Sequence, residues 1–377
     1  MQKNKTLLPP HTIGIIGGGQ LGRMMAIAAR YMGYKVAVLD PTPNCPTAQV
    51  ADIQITAAYD DMNAIKELTE ISDVITYEFE NVDLTAAAYI EKQGKLPQGA
   101  YALEVTQNRE KEKSLMQEMN LPIPEFAIVA NAEECREALR AFTFPAVIKT
   151  CRGGYDGKGQ IKLNSIEDTE QAAQFAEEHG YCIIEQWITF DKEISVVFTR
   201  SQNGKITIFP IAENEHRDHI LYQTTVPATI SPIIQDKAYE AAKILADQMK
   251  IVGTFAIEMF VQGNRIFLNE MAPRPHNSGH YTIEACNISQ FSQHVRAICG
   301  LPLVDIELLN KAVMINILGE DMDGVLKALP QAEDGFVHLY GKAEPKEKRK
   351  MGHITFIAEK EETVQKQIEA FNAFING

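Results

Sequence analysis

The sequence predicts an α/β and α+β protein in three parts. An N-terminal α/β unit precedes a larger mixed core of two subdomains, and a small β-rich part closes the chain. Three observations predict this. A glycine-rich turn, Gly17-Gly-Gly-Gln-Leu-Gly22, joins an apolar strand to a helix near the start. A second glycine-rich run, CRGGYDGKGQ from Cys151 to Gln160, separates two strand-like segments in mid-chain. Three strand signals, AVMINIL, GFVHLYG and GHITFIA, lie within residues 311–377.

In the first unit, 1–105, Thr12 to Ile16 reads as a strand and RMMAIAARYMG as a helix ending at Gly33. Lys35 to Leu39 is the next strand, closed by Asp40. G-x-G-x-x-G with an acid about 20 residues on marks a Rossmann-like dinucleotide site. Taken alone it says NAD, so an NAD-dependent oxidoreductase is one reading. The physics is broader, because glycines let the N–H groups at a helix start approach any phosphate. A helix over 61–70 and a strand from Val74 to Tyr77 continue the alternation, and Glu78-Phe-Glu-Asn81 follows at the strand's carboxyl end.

The core is expected over 106–300, as subdomains 106–183 and 184–300. QNREKEKSLMQEM is a charged amphipathic helix whose Arg109 and lysines read most simply as a solvated face. A helix over Glu133 to Phe142 precedes a strand, Ala146 to Thr150, that carries Lys149. The glycine-rich run then forms the tip of a long hairpin between VIKT and QIKL. Such a loop can cover nucleotide phosphates while the lysine offsets their charge; GxxxxGK[ST] is absent. After a helix over 167–179 and a strand from Tyr181 to Ile184 come Glu185-Gln-Trp-Ile188 and then Glu193. Acids on either side of this connector could hold a purine and a ribose, which spacing alone does not decide. His216 falls in a polar loop, ENEHRDH, and is as readily a surface residue as a functional one.

A helix from Asp236 to Met249 leads to two strands ending in the carboxylates Glu258 and Glu270, the second strand running from Arg265 to Asn269, and then to the loop APRPHNSGH. Paired carboxylates beside Asn269 make a hard-oxygen site suited to Mg²⁺ that keeps substrate phosphates as further ligands. Arg274 and His276 can hold an anion beside them. Glu258 alone would read as a solvated hairpin acid; the density of polar groups on proline-fixed backbone argues for a site. Thr282 to Cys299 reads as one helix. The part 301–377 carries a basic segment, Lys342 to Lys350, readable as a phosphate clamp or a solubilising turn, and a last helix over 361–374.

The bulk numbers bound these readings. A chain of 377 residues with 45% hydrophobic and 23% charged residues is globular, and a net charge of −14 argues against general nucleic-acid binding. No apolar run is long enough to span a bilayer, and the first dozen residues read as a short tail and not a signal peptide. Cys45, Cys135, Cys151, Cys182, Cys286 and Cys299 show no metal spacing and read as reduced, buried thiols of a cytoplasmic protein.

Lys149, GGYDGKG, EQWI with Glu193, Glu258 and NEMAPRPHNSGH, in this order, resemble the ATP-grasp superfamily. GGGQLGRM, YEFEN, GGYDGKGQ, APRPHNSGH and the late GK…KRKMGH make the chain, from about Ile13 to Phe356, similar to one family within it. That family is the 5-(carboxyamino)imidazole ribonucleotide synthases, ATP-dependent carboxylating ligases of purine biosynthesis. The extended NExNxRxQVEH pattern of biotin carboxylase is missing. Formate-dependent glycinamide ribonucleotide transformylase, with a similar PRPH loop, is the near alternative. Lys158 departs from the Arg that many members carry.

The resemblance implies ATP between two α+β subdomains. Arg109 and Lys149 would touch its phosphates, with Gly154, Tyr155, Asp156, Gly157, Lys158, Gly159 and Gln160 closing over them. Glu185, Gln186, Trp187 and Ile188 would hold adenine, Glu193 the ribose, and His216 would lie near the nucleotide. Glu258 and Glu270 would bind two Mg²⁺, with Asn269 adjacent. Gln20, Leu21, Glu78 and Asn277 would meet aminoimidazole ribonucleotide, and Lys342, Arg349 and Lys350 would clamp its phosphate. Arg274, His276, Tyr155 and Asp156 would hold bicarbonate or carboxyphosphate. A homodimer is implied, with no nucleic-acid or membrane partner.

Overall fold

The computed structural model describes residues 6–153 and 159–376. Its first sheet contains β1 (Thr12–Ile16), β2 (Lys35–Leu39), β3 (Ile53–Ile55) and β4 (Val74–Tyr77), all parallel in the order β3-β2-β1-β4. Helix α1 (Gln20–Tyr31) crosses from β1. Its buried Leu21, Met24, Met25, Ala28 and Ala29 recur at i, i+3, i+4, i+7 and i+8, which puts one apolar stripe against the sheet. Burying each methionine is worth roughly 1.5–3 kcal/mol. The helix stops where Gly33 takes φ +86°. Helices α2 (Met62–Ile71), α3 (Leu84–Lys92) and α4 (Ala100–Thr106) complete this unit.

Helix α5 (Arg109–Glu118) leads to a four-stranded antiparallel sheet of β5 (Phe126–Val129), β6 (Ala146–Thr150), β7 (Gln160–Leu163) and β8 (Cys182–Gln186), ordered β5-β8-β6-β7. Helices α6 (Ala132–Ala141) and α7 (Thr169–His179) bury Leu139, Ala172, Phe175 and Ala176 in the core with Ile148 and Ile184. The β6–β7 hairpin is the one expected around the glycine-rich run.

Among the described residues the third sheet has nine strands. It contains β9 (Lys192–Arg200), β10 (Ile206–Ile208), β11 (Ala212–Arg217), β12 (Ile220–Val226), β13 (Gly253–Gln262), β14 (Arg265–Ala272), β15 (Lys311–Leu318), β16 (Phe336–Leu339) and β17 (Lys350–Ala358). The path runs β14-β13-β9-β11-β12-β15-β17-β16, with β10 on β9. Strand β15 pairs with β12 from Ala312 opposite Val226 to Ile315 opposite Gln223, so the last three strands extend the same sheet.

Helix α8 (Pro232–Met249) begins four residues before the expected start, because Ser231 caps it and Pro232 fits its first turn. The single helix expected from Thr282 to Cys299 is two, α9 (Thr282–Ala285) and α10 (Gln290–Ile298). Cys286 leaves the helix to bridge Leu308, and Ser289 caps the restart by accepting from the Ser292 N–H. Phe291, Val295 and Ile298 of α10 share a core with Leu21, Met24 and Met25 of α1, which fixes the first unit against the large sheet. Helices α11 (Met322–Ala328) and α12 (Glu361–Asn376) cover the far end.

Candidate active site

The first glycine-rich turn sits between β1 and α1. Gly17 has φ +102°, and a Cβ on Gly19 would come within 2.7 Å of the Glu78 carboxylate. The Gly19 and Gly22 N–H groups donate to Glu78, the latter at 2.7 Å, and the Gly18 N–H donates to Asp40 at 2.7 Å. Burial raises the Glu78 pKa against the pull of these donors. The N–H groups a dinucleotide pyrophosphate would need are thus held by the protein's own carboxylates, which corrects the NAD reading. Gln20 and Leu21, at the start of α1, face a cleft of about 1110 Å³.

That cleft lies between the four-stranded and nine-stranded sheets. On its inner wall the Lys149 ammonium is 3.0 Å from a Glu185 carboxylate oxygen. Burial opposes the charge on Glu185, but Lys113 and Lys149 outweigh it and hold the carboxyl down at about 2. The other Glu185 oxygen is buried with no hydrogen-bond partner among the described residues. Arg109 also lines the cleft and donates to the Thr150 carbonyl at 2.9 Å.

The solvated face expected for α5 is corrected here. Lys113 is 1% exposed and donates to the carbonyls of Leu268 (3.1 Å) and Asn269 (2.6 Å), while Glu112 accepts the Met271 N–H at 2.7 Å. Burial, against the pull of Lys113, pushes the Glu112 carboxyl up to about 8. These two residues pin β14 to α5, and the sequence reading missed them. Their signal was the spacing of Glu112, Met116 and Met119, which puts one acid on the helix's apolar stripe.

Gln160, Gln186, Trp187 and Ile188 line the next part of the wall. Gln186 and Trp187 are anchored by backbone bonds to Glu125 (2.8 Å) and Pro145 (2.9 Å). Glu193 lies 2.5 Å from the His216 Nδ1. Burial disfavours the imidazolium, but Glu193 and Glu258 outweigh it and raise the His216 pKa. His216 is not in a loop as expected. It ends up on β11 at a bulge, which turns the ring toward Glu193. The Gly159 carbonyl accepts the Thr150 N–H at 3.0 Å. Gly154, Tyr155, Asp156, Gly157 and Lys158 lie outside the described residues.

Glu258 and Glu270 stand directly opposite each other on β13 and β14, within the strands and not at their ends, and Asn269 is adjacent. Burial and the Glu270 charge raise the Glu258 pKa, a strain that a divalent cation between them would relieve. The His276 Nε2 is 3.6 Å from Glu258, and burial with the charges of Arg274 and Lys350 lowers its pKa. Arg274 is steered by Glu80 at 2.7 Å. Asn277 lines the cleft with both side-chain polar atoms buried and unpaired among the described residues.

Lys350 also lines the cleft. Lys342 donates to the Lys350 carbonyl at 2.7 Å, and burial with the nearby Arg349 lowers its pKa to about 8. Gln49 donates to the Gly341 carbonyl at 2.8 Å, bringing this segment onto the first unit. Arg349 is exposed and donates to the Glu344 carbonyl at 3.0 Å, outside the cleft wall.

A nucleotide-sized cleft between two antiparallel sheets, with buried lysines on one wall and opposed carboxylates on the other, defines an ATP-grasp ligase. Residues 11–107 match the ribonucleotide synthetase preATP-grasp domain, 114–291 the ATP-grasp domain, and 312–367 the phosphoribosylaminoimidazole carboxylase C-terminal domain. N5-carboxyaminoimidazole ribonucleotide synthase of Bacillus subtilis is 49% identical over 357 residues, 94% of each chain. An ADP complex of an N5-carboxyaminoimidazole ribonucleotide synthetase superposes with TM-score 0.95 at 49% identity, covering 99% of each chain. The Aspergillus clavatus synthase in complex with ADP and 5-aminoimidazole ribonucleotide gives TM-score 0.89 at 29% identity, covering 97% of this chain and 99% of that one. The chain belongs to the N5-carboxyaminoimidazole ribonucleotide synthase family. The transformylase alternative is not favoured by these matches.

Proposed function

We propose that the chain carboxylates the exocyclic amine of 5-aminoimidazole ribonucleotide, using ATP and bicarbonate and passing through carboxyphosphate, as a step of purine biosynthesis. The observation that carries this reading is the convergence of three chemistries on one cleft. Lys149 and Arg109 suit nucleotide phosphates, Glu258 faces Glu270, and Arg274, His276 and Lys350 rim the same space. A bicarbonate oxygen attacks the γ-phosphoryl group and ADP leaves. The mixed anhydride breaks its O–C bond to release phosphate as CO₂ forms, the ribonucleotide amine attacks that carbon to give the carbamate, and the amine proton goes to the released phosphate dianion. Negative charge builds in the first transfer, and Lys149, Arg109 and Arg274 offset it.

The fit of Mg²⁺ rests on the opposed carboxylates, whose hard oxygens and mutual repulsion suit divalent cations. Bound there, Mg²⁺ supplies charge neutralisation on the nucleotide phosphates. Gln20, Leu21, Asn277 and the Lys342–Lys350 segment are assigned to the ribonucleotide. The unpaired amide of Asn277 and the approach of residue 341 to Gln49 support this. Glu78 is assigned to the same ligand, beside the glycine turn whose N–H groups it accepts. Family resemblance carries the homodimer in this reading. The cytoplasmic location accords with six buried free thiols.

The test is ¹³C NMR of the product made from ¹³C-bicarbonate, ATP and 5-aminoimidazole ribonucleotide. A new carbamate carbon that disappears on acidification and needs all three substrates is expected. Its absence, with ADP formed from glycinamide ribonucleotide and formate instead, would overturn the assignment.

A further inference from the structure

A buried line of hydrogen bonds ends on His276, and its direction can be read. His276 Nδ1 accepts from the Ser278 backbone N–H at 3.4 Å. A backbone N–H can only donate, so Nδ1 carries no hydrogen and the ring has a single one, on Nε2. The other bonds run the same way. The Ser278 hydroxyl lies 2.9 Å from Nδ1 and so donates to it. The Ser195 hydroxyl donates to Ser278 at 2.7 Å, the Asn214 amide to Ser195 at 3.0 Å, and the Thr224 hydroxyl to the Asn214 oxygen at 3.0 Å. Ser195, Asn214 and Thr224 sit on the neighbouring strands β9, β11 and β12, and all are buried. Ser195, in the middle of the line, is also in register with Glu258 across β9 and β13.

His276 lines the cleft, and its Nε2 is 3.6 Å from Glu258, too far for a hydrogen bond to that carboxylate, which leaves the Nε2–H for a ligand in the cleft. We infer that Thr224, Asn214, Ser195 and Ser278 are positioning residues that hold His276 as the neutral Nε2–H tautomer, a hydrogen-bond donor toward the carboxyl group under transfer and not a base. The inference rests on the carboxylation reading for the identity of that group. It assigns the amine's proton to an acceptor other than this imidazole.

Two measurements test it. ¹⁵N NMR of histidine-labelled, substrate-free protein, with His276 assigned by its loss in His276→Gln, reads the tautomer whatever the substrate is. The expected result is an unprotonated Nδ1 and a protonated Nε2 in the wild type, and the same tautomer with a shifted Nδ1 resonance in Ser278→Ala, which loses the hydroxyl donor and keeps the backbone N–H. An Nδ1–H ring or an imidazolium in the wild type would overturn the inference. In the kinetic assay, Ser278→Ala should lower kcat about tenfold, the worth of one hydrogen bond on the ring, with KM for ATP unchanged. His276→Gln, whose amide can donate from near the Nε2 position, should keep at least tenfold more activity than His276→Asn. Equal loss in both would mean a base and sink the donor role. Should Ser278→Ala not fold, the wild-type spectrum and the Gln/Asn pair decide. A carboxylation assay that fails with a correct tautomer would count against the proposed substrate and not against the hydrogen-bonded line.

Discussion

Replacing Glu185 with Gln should remove a measurable, pH-dependent part of the protein's stability. The carboxylate is 3% exposed and lies 3.0 Å from Lys149 and 4.0 Å from Lys113. Burial alone would raise its pKa, yet the two ammonium groups hold it at about 2 against a reference of 4.5. A folded-state pKa below the unfolded value means stability that is present above about 4.5 and is lost as pH falls toward 2. Converted at 1.36 kcal/mol per pKa unit, the contribution is about 3 kcal/mol at pH 7. Denaturant titrations of wild type and Glu185→Gln at pH 7 and pH 3 would read it. The variant should be about 3 kcal/mol less stable at pH 7, and the gap should shrink by about half at pH 3. An equal gap at both pH values would refute the electrostatic argument, and no gap at pH 7 would mean that Lys113 and Lys149 do not depend on this carboxylate.

The other predictions are briefer. Glu270→Gln should cut ATP turnover by at least about a thousandfold with an unchanged circular dichroism spectrum, as expected when a phosphate-bound metal loses a hard ligand; near-normal turnover would remove Glu270 from the metal site. Lys113→Met should cost about 3 kcal/mol and weaken ATP binding measured by calorimetry, because the Leu268 and Asn269 carbonyls lose their buried donor; unchanged stability and affinity would make Lys113 passive filler. Lys342 is a phosphate ligand only while charged, and its pKa is lowered to about 8. Hence kcat/KM for the ribonucleotide should fall as pH rises through about 8, and Lys342→Arg should remove that inflection. Arg349→Ala should raise KM for the ribonucleotide about tenfold while sparing KM for ATP, and equal effects on both would make the late segment structural.

What the sequence revealed was chemistry carried by unusual local composition. Glycine runs, Pro-fixed loops and carboxylates inside apolar strands stand out because backbone physics makes them poor filler. The βαβ start, the β6–β7 hairpin and the pairing of Glu258 with Glu270 were legible for that reason. Long-range choices were not. The spacing of Glu112 with Met116 and Met119 hints that one acid of QNREKEKSLMQEM lies on the apolar stripe, but the partners on β14 that make the burial of Glu112 and Lys113 tolerable are more than 150 residues away in sequence. The bonds from the glycine turn to Glu78 were not legible, because they join residues 56 and 59 positions apart. His216 read as a loop residue because a bulge, and not a turn, accommodates it. Ser195, Asn214 and Thr224 are ordinary strand residues until three strands are placed side by side.

The most direct test of the account is ADP release from ATP, magnesium and bicarbonate, measured with and without 5-aminoimidazole ribonucleotide. The account predicts slow ADP formation from bicarbonate alone and strong stimulation by the ribonucleotide. ADP formation that the ribonucleotide leaves unchanged would contradict it.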